Sequence, residues 1–361
     1  MYDISAIQDI PPFSMDRSEK EEFLSEILWE LTLHHYEQCP EYRRILDAWP
    51  FSLEKRVPYR NLPFLPVRLF KEYELKSVGE TEVVKQMTSS GTTGQMVSRI
   101  FLDKETATNQ TKILTKIVND FLGSKRLPMI ILDTKAILKD RNLFSARGAG
   151  ILGYSIFGSD KMYALNEEMK IDFDALEAFL EKHDGERIFL FGFTFMVWQH
   201  FYKELIKSGR KLDLTQGILI HGGGWKKLID EAVDNATFKQ KLYEACNLSK
   251  VHNFYGMVEQ TGTVYMECEE GHLHTSIFSD VIIRNPKDFE EMEHGMEGLI
   301  EVVSVLPKSY PGHALLTEDL GTILGEDDCA CGRKGKYFSI SGRVQNAEVR
   351  GCSDVYAKGR S

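Results

Sequence analysis

Residues 18 to 38, SEKEEFLSEILWELTLHHYEQ, place Phe23, Ile27, Leu28, Leu31 and Tyr36 at helical spacing with acids early in the run, which predicts an amphipathic opening helix. The segment from Pro50 to Pro66 holds four prolines and reads as an extended, ordered connection. A strand-like run, TEVVKQM (Thr81 to Met87), then gives way to a polar stretch, and a second apolar run, VSRIFL, follows it. Beyond this the periods alternate. ETATNQTKILTKIVNDFLG (Glu105 to Gly123) is helical, and PMIILD (Pro128 to Asp133) is a short buried strand. RIFLFGF (Arg187 to Phe193) is again a strand, FMVWQHFYKELIKSG (Phe195 to Gly209) a helix, and GILIHGGG (Gly217 to Gly224) a strand that runs into glycines. Such alternation predicts an α/β sheet with ligand sites at the strand ends. From about Gly262 the pattern changes to short strands, GTVYMEC, DVIIR and GLIEVVSVL, separated by turn signals, so a smaller β-rich subdomain is expected there.

Composition narrows the class. A chain of 361 residues that is 42% hydrophobic can bury a large core without external staples. The 54 acids against 44 bases give a net charge of -10 with no long run of either sign. That balance argues against a nucleic-acid-binding surface, which needs a dense basic patch to neutralise phosphates. The N-terminus, MYDISAIQDIPPFSMDRSEKEEF, carries acids and prolines in place of a basic start and an apolar run, and no apolar stretch reaches spanning length. A cytoplasmic protein without a membrane span is the expectation. Six cysteines are too few for a disulfide framework and are candidates for thiol chemistry or metal binding.

The polar stretch TSSGTTGQ, Thr88 to Gln95, combines hydroxyl side chains with two glycines and contains no apolar residue. Glycine opens backbone conformations closed to other residues, and Ser and Thr add donors beside exposed amides, a cradle for anionic oxygen. A flexible polar linker is the alternative, which the short flanking strands argue against. Four later segments give the loop its meaning. HGGGWKK (His221 to Lys227) leaves backbone groups open to a flat ligand at a strand end, and NFYGMVEQTG (Asn253 to Gly262) offers Tyr255 for stacking and Glu259 for a hard cation. LLTEDLG (Leu315 to Gly321) places Asp319 after a strand, and ISGR (Ile340 to Arg343) ends in a cation suited to phosphate or ribose oxygens.

In this order the segments resemble the adenylate-forming superfamily, the acyl-CoA synthetases and their relatives. Within it, GFTFMVWQ (Gly192 to Gln199), HGGGWKK and the terminal RGCSDVYA (Arg350 to Ala357) make the chain similar to the LuxE-type acyl-protein synthetases. The resemblance implies the large α/β domain of that superfamily over residues 1–343, its β-rich subdomain at about 262–340, and a short tail at 344–361. Only 18 residues follow Arg343, so the mobile C-terminal domain with its catalytic lysine is expected to be absent.

By the same resemblance Thr88, Ser89, Ser90, Gly91, Thr92, Thr93 and Gly94 hold the phosphates of ATP. Gly222, Gly223, Gly224, Tyr255 and Gly256 contact adenine, Glu259 binds Mg2+, and Asp319 and Arg343 hold the ribose. Phe193, Phe195 and Trp198 are candidates for an acyl pocket, with ordinary core packing the alternative. Lys226 or Lys227 is the nearest cation to replace the missing lysine. Cys352, flanked by Arg350 and followed by Lys358 and Arg360, sits in a setting that favours the thiolate, and in LuxE-type proteins the matching cysteine accepts the acyl group.

The implied function is ATP-dependent activation of a carboxylic, fatty acid, then transfer to Cys352 and hand-over to a partner of the acyl-CoA reductase type. Transfer to coenzyme A or an acyl carrier is an alternative. A nucleotide-binding scaffold subunit without turnover is a second. Cys268, His272 or His274, Cys329 and Cys331 suit a tetrahedral Zn2+ site, although Cys-x-Cys is tighter than the usual spacing and buried free thiols are the alternative. Related phenylacetate-CoA-ligase-like proteins favour His274 over His272.

Overall fold

The computed structural model describes residues 7, 9–89, 96–138 and 146–344, apart from the side chains at 146, 226, 227 and 229. The chain divides into two compact units, one of residues 1–118, 256–266 and 272–348, the other of residues 119–255, 267–271 and 349–361.

In the first unit the opening helix runs Arg17–Gln38. Asp16 caps it: its carboxylate accepts from the Glu19 amide at 3.0 Å while the Asp16 amide donates to the Glu19 carboxylate at 3.2 Å. The buried stripe follows a period of three and four, but it is not purely apolar. Leu24, Ile27, Leu28 and Leu31 share it with Lys20, Thr32 and His35, while Phe23 and Tyr36, expected on that face, are only partly buried. The polar members have distant partners. Lys20 Nζ donates to Thr275 Oγ1 at 2.7 Å and pairs with Asp280 at 3.3 Å. Asp280 also accepts from the Tyr59 hydroxyl and pairs with Lys336 Nζ at 3.0 Å.

The proline-rich connection is extended apart from a single-turn 3-10 helix at Tyr59–Asn61, and its Leu65–Pro66 pairs parallel with Leu315 and Leu316. The polar stretch lies between two paired strands, Lys85–Thr88 and Arg99–Leu102, so the first of them is shorter than the run Thr81 to Met87. Glu80–Glu82 forms a 3-10 turn instead. The β-rich part is an antiparallel meander of Ser279–Arg284, Glu297–Ser304, Ala314–Glu326 and Lys336–Arg343, continued by Leu273–His274 against the last of these.

The second unit is built on five parallel strands in the order Lys250–Tyr255, Gly217–Gly222, Ile188–Phe193, Leu127–Thr134, Gly158–Leu165. Most read as continuous apolar runs because both faces are covered, as parallel sheets require. Ile188 and Leu190 face a core with Trp198, Phe201, Trp225 and Phe238. Phe191 faces the other way, stacked on Tyr154 at 4.4 Å and on Phe254 at 6.4 Å. The helix expected after Phe193 spans Thr194–Ser208, with a π-helical segment at Val197–Tyr202. Among the described residues no helix is long and apolar enough to cross a membrane.

Candidate active site

The glycines of HGGG close the strand Gly217–Gly222, in register with Phe193 on one side and Phe254 on the other. Two glycines there answer to separate demands. A Cβ on Gly222 meets the Phe254 ring at 2.5 Å, so only a bare backbone lets that ring lie over the strand. Gly223 adopts φ +77°, a conformation other residues rarely take. Tyr255 ends the next strand, buried. These ends form one edge of the parallel sheet, the edge where ligands bind in open α/β folds.

In the other unit Asp319 and Arg343 are opposite one another in the register of two antiparallel strands. Arg343 Nε lies 3.0 Å from Asp319 Oδ1, and its Nη2 lies 2.9 Å from Glu318 Oε2. A guanidinium held by two carboxylates is a fixed donor fork, and it sets a cation beside a carboxylate, the charge types that hydrogen-bond hydroxyl groups. Glu259 sits on a 3-10 turn, Val258–Gln260, and is buried. The neighbouring Gln260 is committed to structure, donating to the carbonyls of Val302 at 3.0 Å and Gly312 at 2.8 Å. Burial pushes the Tyr310 hydroxyl pKa up, and the charge of Glu259 adds to the shift. A single buried carboxylate suits Mg2+, which takes one or two protein carboxylates together with phosphate oxygens.

The three aromatics proposed for an acyl pocket do not share a wall. Phe193 is two residues on from Phe191 and 5.9 Å from it, on the Tyr154 face, whereas Trp198 stacks on Tyr202 at 4.6 Å and Phe238 at 5.8 Å within the opposite core. Strand alternation is the reason: residues two apart share a face, and the helix that follows returns over the other. Phe195 is half-buried. The face of Phe193 is lined instead by Phe191, Tyr154 and Phe254, with Gly150 so close that a Cβ there meets the Phe193 ring at 2.9 Å.

Cys268, His274, Cys329 and Cys331 each bring one ligand atom within 4.8 Å of the others. Cys268 is on the short turn that joins strands Tyr265–Glu267 and Leu273–His274, so its approach to His274 is local. His274 Nε2 is 3.4 Å from Cys331 Sγ, and His272 Nδ1 is 3.4 Å from Cys329 Sγ, outside the quartet. Ligands of a tetrahedral zinc ion with bonds of about 2.0–2.3 Å lie roughly 3.5 Å apart, so the donor set and its spacing fit Zn2+ with little movement.

Thr88 ends the first strand of the hairpin and Ser89 follows it, its hydroxyl accepting from the Ser98 amide at 2.9 Å. Ser90 to Gly94 and Cys352 lie outside the described residues, as does the side chain of Lys226. Two residues escaped the sequence reading: Thr194 and His221, whose side chains meet beside Gly222. The signal was present, since His221 directly precedes the glycines and Thr194 directly follows the strand paired with them.

The comparisons agree with this architecture. The family described as acyl-protein synthetase, LuxE, matches residues 3–359. A long-chain-fatty-acid–luciferin-component ligase of Vibrio harveyi is 24% identical over 354 residues, covering 95% of this chain and 89% of its own. Its counterpart from Aliivibrio fischeri is 23% identical over 351 residues, covering 93% and 88%. Among solved structures, 2-hydroxyisobutyryl-CoA ligase in the postadenylation state with 2-HIB-AMP superposes with a TM-score of 0.70 at 15% identity, over 96% of this chain and 74% of that one. The same ligase with 2-HIB-AMP and CoA gives 0.72 at 15% identity, over 93% and 70%. The fold is thus that of the adenylate-forming ligases, and the chain belongs to the LuxE family of acyl-protein synthetases and is a ligase.

Proposed function

We propose that the protein activates a long-chain fatty acid with ATP and passes the acyl group to the thiol of Cys352, for hand-over to a partner reductase. In the first step a carboxylate oxygen attacks the α-phosphorus, the bond to the bridging oxygen breaks, and pyrophosphate leaves with the electron pair. In the second, the thiolate attacks the acyl carbon, the carbon–oxygen bond to phosphate breaks, and AMP leaves. The family match and the names of its relatives support the fatty acid.

The observation that carries the reading is the Asp319–Arg343 pair, a buried carboxylate held beside a fixed guanidinium at 3.0 Å. In this reading the pair takes the ribose hydroxyls, Gly222 to Gly224 with Tyr255 and Gly256 frame the adenine, and the stretch from Thr88 to Gly94 holds the phosphates. Glu259 ligates Mg2+, which when bound neutralises phosphate charge, and Lys226 offsets charge at the α-phosphate. The Phe193, Phe191, Tyr154 and Phe254 face is the acyl wall that replaces the original grouping with Trp198. Zn2+ held by Cys268, His274, Cys329 and Cys331 is structural, tying the start of the strand Lys336–Arg343 to the hairpin before it.

Acid-dependent exchange of labelled pyrophosphate into ATP tests the adenylation step without reference to the acceptor. Exchange driven by long-chain acids supports the reading. Tight ATP binding with no exchange under any acid contradicts it and favours a scaffold.

A further inference from the structure

Thr194 opens the helix Thr194–Ser208, yet that helix start carries no side-chain cap bond. The hydroxyl reaches sideways to the next strand instead, with Oγ1 2.9 Å from His221 Nδ1 and 3.2 Å from the Gly222 carbonyl oxygen. Proton counting fixes the directions. A carbonyl only accepts, so the single hydroxyl proton goes to Gly222, and His221 must donate from Nδ1.

His221 is then the tautomer with a bare Nε2, and among the described residues that atom has no hydrogen-bond partner. The ring lies 4.6 Å from Phe238, and burial holds its pKa down at about 3, so it stays neutral. A buried ring nitrogen left without a partner costs stability. What the arrangement secures in return is the orientation of one peptide. The relay His221 Nδ1–H to Thr194 Oγ1–H to Gly222 carbonyl fixes that carbonyl, and a planar trans peptide directs the Gly223 amide to the opposite side. Gly223 takes φ +77° from there, which turns the chain out of the strand. The helix behind Thr194 passes into the π segment Val197–Tyr202, a wide turn that occurs often at functional sites.

We propose that Thr194 and His221 are positioning residues for the nucleotide, setting the Gly222–Gly223 peptide so that its amide meets the purine ring of ATP as a preformed donor. This rests on the reading of Gly222 to Gly224 as the adenine-binding strand end. Neither side chain touches the nucleotide.

Two pairs of variants test it, read by calorimetric titration of the full chain with ATP and, separately, with a long-chain fatty acid. Thr194→Ser keeps the hydroxyl and Thr194→Val removes it. His221→Asn keeps a donor where Nδ1 stood, and His221→Gln moves it to the Nε2 position. The expected result is wild-type ATP affinity for the Ser and Asn variants and about a tenfold weaker Kd for Val and Gln, the loss of one ordinary hydrogen bond, with acid affinity unchanged in all four. A purely structural role lowers the melting temperature without separating ATP from acid. If Val and Gln bind ATP as the wild type does, the positioning role is overturned while the strand-end reading stands. If the wild type itself does not bind ATP, the strand-end reading falls first. Should one aggressive variant fail to fold, the other pair decides.

Discussion

Arg343 Nε lies 3.0 Å from Asp319 Oδ1, and the two residues stand directly opposite one another on neighbouring antiparallel strands, both side chains buried. A buried pair of this kind is weak evidence for stability but strongly sensitive to losing one partner. Asp319→Ala takes one carboxylate from the buried guanidinium, and the expected cost is about 3 kcal/mol in urea denaturation. Arg343→Lys keeps the charge but loses the fork. It is expected to cost less stability than Asp319→Ala while raising the KM for ATP about tenfold or more, as steady-state kinetics would show. Equal loss of stability and unchanged KM would confine the pair to a structural role.

Gly222 is expected to resist substitution for a packing reason. Its Cβ position is 2.5 Å from the Phe254 ring, so Gly222→Ala forces the ring away at a cost of about 1–3 kcal/mol. Phe254→Leu in the same chain is expected to recover part of that loss in thermal melts, because it removes the clashing atoms. Additive losses would place the strain elsewhere.

The first unit carries a pH dependence of definite sign. His35 and His313 stack at 4.9 Å, with His35 Nδ1 2.7 Å from Ser77 Oγ and His313 Nε2 2.9 Å from Thr32 Oγ1. Burial holds His313 down at about 3, and burial together with the neighbouring His313 holds His35 well below its ordinary value. A histidine whose folded pKa is depressed binds its proton in the unfolded chain first. Stability is therefore full above about pH 6.5 and falls as pH drops below it, by up to about 1.4 kcal/mol per histidine and pH unit. His221 in the second unit adds to the same trend, its pKa also about 3. Replacing His313 by Gln should flatten the fall in unfolding free energy between pH 7 and pH 5. An unchanged slope would remove His313 from the account.

The Cys268, His274, Cys329 and Cys331 quartet predicts one zinc ion per chain by elemental analysis after purification from zinc-containing medium. Strong chelation should lower the melting temperature by several degrees, and Cys329→Ser should abolish both the metal and the chelator effect. Metal-free protein of unchanged stability would make the cysteines ordinary buried thiols.

The sequence carried the fold wherever a period sufficed. The strand end at Gly222, the helix Lys104–Leu122 and the change to an antiparallel meander after Gly262 follow from local pattern, whereas the strand Lys250–Tyr255 was not marked by one. What pattern could not carry is contact at long range. Lys20 and Asp280 are 260 residues apart, so nothing near Lys20 announces that a charged side chain belongs in the buried stripe. Phe193 and Trp198 pack on different faces for a related reason, since adjacency in sequence says nothing about the face on which a helix returns. Thr194 and His221, 27 positions apart, meet only because their strands are neighbours.

The central claim is that this chain makes an acyl-adenylate and takes the acyl group onto Cys352. Intact mass after incubation with ATP, Mg2+ and a mixture of fatty acids tests it most directly, for the natural sequence and for Cys352→Ser, with and without hydroxylamine. The account predicts an ATP-dependent increase by one acyl group that hydroxylamine removes and that the serine variant lacks. An adduct of the same size and lability on the serine variant, or none on either chain while pyrophosphate is released, would contradict the role of Cys352.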